Sequence, residues 1–78
     1  MCIQIWQKDY KGSRVLWGFL NNLPDAIGIV QLMADGMRDG WQTGFEVVIG
    51  DSHIEMTDFM QMHDIKKRSF DERIGYKK

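Results

Sequence analysis

Seventy-eight residues leave room for one domain and one modest core, close to the size at which such a core gives only a few kcal/mol of stability. An apolar fraction of 44% with 27% charged residues excludes a wholly disordered chain, and no apolar run is long enough to span a membrane. The net charge of −1 hides a segregation. One base, Arg38, stands against eight acids from Val15 to Ile65, whereas six bases stand against two acids from Lys66 onward.

Ile3-Gln4-Ile5-Trp6-Gln7 alternates with period two and predicts a strand over residues 2–8. Asp9 to Ser13 is a turn in which Gly12 can supply a positive φ. Arg14 to Leu20 then predicts a second strand with two apolar faces, Val15, Trp17 and Phe19 on one and Leu16, Gly18 and Leu20 on the other. One helix layer can cover only one of these faces.

A helix follows over about 22–39. Asn22 can cap its first amides, Asp25 can reach back to the cap, and Pro24 falls in the first turn, where its missing N–H costs nothing. At 100° per residue, Leu23, Ala26, Ile27, Val30, Met33, Ala34 and Met37 form one stripe, while Leu32 points away from it and Ile29 lies on its flank. Gly40 offers a left-handed C-terminal cap, with Trp41 folding back on the last turn. Gly44 to Ile49 predicts a third strand. Gly50-Asp51 suits a type II′ turn, and Ser52 to Thr57 makes a fourth strand in a register that pairs Val47 with Ile54 and Phe45 with Met56. Asp58 with Gln61 can cap a second helix running to about Arg68, although Met56, Met60 and Met62 also alternate as a continued strand would. Ser69 to Glu72 repeats a capping pattern, and residues from about 75 are expected to fray. The order is ββαββα: an α+β domain with a four-stranded antiparallel sheet and the central helix on one face. Pattern alone leaves the strand order open.

For chemistry, the hairpin register sets Glu46 opposite Glu55 with His53 on the same face, a minimal inventory for a divalent metal or an acid/base pair. The outward face of an antiparallel hairpin is expected to be polar in any case, so no metal, cofactor or catalytic residue is assigned. Ser13, Ser52, Ser69 and Cys2 have no patterned base and orienting acid, and no phosphate-cradling glycine motif occurs. A lone Cys2 excludes an internal disulfide and a cysteine-cluster zinc site, and it reads as a buried or edge apolar residue. No basic n-region or signal-like apolar segment opens the chain, so the expected compartment is cytoplasmic, without membrane contact.

Two functions from different classes remain. Trp6, Trp17, Phe19, Ile29 and Leu32 exceed what one helix can cover, which predicts a non-enzymatic protein-binding module, either a homodimer or a protein seated on a foreign partner. Lys66, Lys67, Arg68, Arg73, Lys77 and Lys78, interleaved with Phe70 and Tyr76, predict instead a small nucleic-acid binder, against which the acidic body would repel phosphate. The charge segregation fits equally an internal match between tail and body. Compactness, charge segregation and the lack of catalytic motifs together resemble small phage or mobile-element proteins, and that resemblance implies an inhibitor occupying a surface of a larger host protein.

Overall fold

The computed structural model describes residues 2–69. Strands β1 (Ile3–Lys8), β2 (Arg14–Leu20), β3 (Phe45–Ile49) and β4 (Ser52–Glu55) form one antiparallel sheet in the order β2-β1-β3-β4. Helices α1 (Leu23–Gly36) and α2 (Met56–Met62) complete the α+β fold. The two hairpins meet through β1 and β3, so that among the described residues β1 is interior and β2 and β4 are the edges.

The first hairpin closes as its residues require. Gly12 adopts φ 87°, and Asp9 Oδ1 accepts from the amides of Lys11 and Ser13 at 2.9 and 2.8 Å. At α1, Asn22 Oδ1 accepts from the Asp25 amide at 2.9 Å, while the Asp25 carboxylate receives the Asn22 side-chain amide at 3.1 Å. The helix lays Ala26, Val30, Met33 and Ala34 against Ile3, Ile5, Phe45 and Val47, and Met56, Phe59 and Ile65 close the same core. Leu32 points away as the helical phase predicts.

Four local expectations are corrected. First, α1 ends at Gly36 rather than about 39, with Met37 extended after it. Gly40 is left-handed (φ 86°), but it opens a 3-10 turn over Trp41–Gly44 instead of capping α1. Trp41 packs edge-on against Phe45 at 5.3 Å. Second, β4 stops at Glu55, because Met56 already begins α2 and turns its side chain fully into the core. Val47 does pair with Ile54, but the Phe45–Met56 pair is therefore absent. Third, α2 runs over Met56–Met62 rather than from Asp58 to about Arg68. Asp64 takes φ 54°, its amide donates to Gln61 O at 3.3 Å, and the Ile65 amide donates to Met60 O at 2.9 Å. This is a Schellman closure with aspartate in the left-handed position, and buried Ile65 seals it. Fourth, β2 does not hold Val15, Trp17 and Phe19 on one face. Ile5 pairs with Gly18 and Trp6 with Leu16, leaving Trp17 as the extra residue of a bulge. Cys2 is exposed at the start of β1. The capping pattern at Ser69–Glu72 and the expected fraying from about 75 extend beyond the described residues.

Candidate interaction surface

Both helices pack on the face of the sheet that carries Ile3, Ile5, Phe45 and Val47. Register places Gln4, Trp6 and Lys8 of β1 on the opposite, open face, flanked by Arg14, Leu16 and Phe19 of β2, by Glu46 and Val48 of β3, and by His53 and Glu55 of β4.

That open face has two halves of different chemistry. Over β1, β3 and β4 it is polar and internally matched. Glu46 and Glu55 do lie opposite one another, and His53 Nδ1 stands 3.4 Å from Glu46 Oε1. The repulsion expected of facing carboxylates is offset by cations from the first hairpin. Lys8 Nζ lies 3.0 Å from Glu55 Oε1 and 3.7 Å from Glu46 Oε2, and the Arg14 guanidinium donates to Glu46 Oε1. The Glu55 carboxylate, as hydrogen-bond acceptor, raises the Lys8 pKa from its usual value. Arg14 also lies over the Trp6 indole at 4.4 Å, and Trp6 Nε1 donates to Gln4 Oε1 at 2.8 Å. Among the described residues, no three of His, Cys, Asp and Glu converge as metal ligands would. Trp6 is thus half-buried within this network rather than presented as a free aromatic.

Over β2 the open face is apolar and exposed. Leu16 is 45% exposed and Phe19 60% exposed; the sequence places Leu16 on an apolar face of β2 but not among the residues of a partner surface. On the helix side of the same strand, Trp17 stacks edge-on against Phe45 at 5.2 Å and donates its Nε1 to Gln7 Oε1 at 2.8 Å, yet half of its surface stays in solvent. Val15 is exposed beside it. Ile29 and Leu32 lie on the back of α1, where a shallow groove of about 440 Å³ is lined by Leu20, Pro24, Asp25, Gly28, Ile29 and Leu32. Of the five residues expected at a partner surface, four therefore remain substantially exposed, and they gather around β2 and α1.

The basic tail is divided. After α2 the chain turns back along the other flank of α1, where Gln31 Nε2 donates to Lys66 O at 2.7 Å. Arg68 binds Asp35 through its backbone amide at 3.0 Å and its guanidinium at 2.6 Å. Asp35 is buried, and hydrogen bonds from the Arg68 side chain lower its pKa from 3.8 to about 2. Lys66 and Lys67 are exposed, while Arg73, Lys77 and Lys78 lie outside the described residues. No family model matches the chain, and no curated protein or solved structure matches it either.

Proposed function

We propose that this protein is a small, non-enzymatic protein-binding module whose contact surface is centred on β2 and the adjoining back of α1. The observation that carries this reading is the state of β2: a seven-residue edge strand with Val15, Leu16, Trp17 and Phe19 all exposed. Natural edge strands are usually shortened, charged or covered, because an open apolar edge recruits further strands. The other edge, β4, follows that practice: it is four residues long, carries His53 and Glu55, and runs directly into α2. Aromatic and aliphatic side chains with few charges are what the centre of an interface is made of.

The basic tail supports a nucleic-acid role less well than its composition suggests, because Arg68 is committed to Asp35. The test is photocrosslinking from a benzophenone amino acid placed at Phe19, with exposed Thr43 of the 3-10 turn as the control. Protein adducts from position 19 and none from 43 are expected. Absence of adducts at 19, or equal adducts at both positions, would overturn the reading.

A further inference from the structure

We propose that the occupant of the β2 edge is a second copy of this chain, joined by antiparallel β2–β2 pairing about a two-fold axis normal to the sheet; this rests on β2 being the binding surface. Such an axis reverses strand direction, so like edge meets like edge and one contact closes on itself without propagating into fibres. It also keeps each layer on its own side. The open faces become continuous, the α1 helices share the other side, and two four-stranded sheets become one of eight strands.

The side chains of β2 are suited to this. Residues 15–20 contain no ionisable group, so no like charges are set opposite each other. The one charge of the strand, Arg14, is already held by Glu46 and Trp6 of its own chain. The bulge fixes the register. It places Leu16 and Phe19 on the open face, with Val15, Trp17, Gly18 and Leu20 on the helix side. The symmetric pairing that uses all of residues 15–20 sets Leu16 opposite Phe19 of the second copy, Val15 opposite Leu20 and Trp17 opposite Gly18, and it keeps every residue on its own face. In that register the largest side chain of the strand faces the one residue without a side chain. An ordinary strand without the bulge could not satisfy this pairing symmetrically.

The area is also sufficient. Val15, Leu16, Trp17 and Phe19 of β2 are between 45% and 60% exposed, and Ile29 on the flank of α1 is 38% exposed. Given that a fully buried aromatic contributes 150–250 Å², they offer on the order of 500 Å² of apolar surface per copy. Adding strand backbone brings this towards the ~800 Å² per partner of a standard interface.

Sedimentation equilibrium on the purified full chain tests the proposal, with circular dichroism to verify that each variant is folded. A monomer–dimer equilibrium is expected for the wild type. Leu16→Lys and Phe19→Lys, both at exposed positions, should each weaken it by about tenfold or more. In a Cys2→Ser background, Leu16→Cys mixed with Phe19→Cys should give an oxidised heterodimer, while neither variant crosslinks to itself. A wild type that stays monomeric overturns the dimer, and so does a dimer indifferent to Leu16 and Phe19 or crosslinking in any other pattern. If the monomer nevertheless crosslinks a foreign protein from position 19, only the identity of the occupant fails and the binding-module reading stands. If position 19 captures nothing, both fail.

Discussion

At the scale of single residues, Asp35 is the most informative position. A carboxylate near the end of a helix would ordinarily face water, but here it is buried and anchors the chain that returns after α2 through the Arg68 amide and guanidinium. Its pKa of about 2 lies below the ordinary 3.8, so protonation favours the unfolded chain. The stability it contributes is fully present above pH 3.8 and is lost as pH falls towards 2. Acid titration followed by circular dichroism should show that loss in the wild type and a flatter limb over the same interval in Asp35→Asn. Arg68→Ala should lower the melting temperature at neutral pH. Lys66→Ala and Lys67→Ala, exposed on the same segment, should each change stability by less than about 1 kcal/mol. Equal effects at all three basic positions would show that the tail is not held through Asp35.

At the scale of elements, the helices differ in how far their sequence announces them. The α1 stripe and its Asn22 cap are legible because a 3.6-residue period and a side-chain cap act locally. Val30→Asp should therefore unfold the domain, whereas Leu32→Asp should leave it folded, as thermal melts will show. The limits of α2 are not legible. Its N-cap residue, Glu55, makes no side-chain capping bond, and its stop is an aspartate in a conformation that sequence associates with glycine. Its packing nonetheless gives a clear expectation. Phe59→Ala should cost about 3–5 kcal/mol, and Met62→Ala, on the solvent side, less than about 0.5 kcal/mol in urea unfolding. The β3–β4 register was readable because turn geometry and apolar alternation agree. The bulge in β2 is not, since the contact that accompanies it joins Trp17 to Phe45, a residue 28 positions away.

At the scale of the whole molecule, the sheet has one face covered by helices and one that must remain stable in water without them. Its polar half does so by internal pairing, and the two pairs there should differ in strength. Glu46 is nearly buried, its closest partner is Arg14, and Arg14 is held against Trp6. Removing Arg14 leaves a buried acceptor without its main donor, which costs about 1–3 kcal/mol. Glu55 is 60% exposed at its side chain and its bond from Lys8 is open to solvent, so that pair is worth about 0–1 kcal/mol. Double-mutant cycles in urea, Arg14→Ala with Glu46→Ala against Lys8→Ala with Glu55→Ala, should therefore give the larger coupling for the first. The result also bears on function. A strong Arg14–Glu46 coupling means this half of the face is committed to the fold, leaving Leu16 and Phe19 at β2 as the part of the open face available to another chain. A coupling near zero for both pairs would mean that the charges are as free as the apolar residues, and the binding surface would then have to be redrawn across the whole open face.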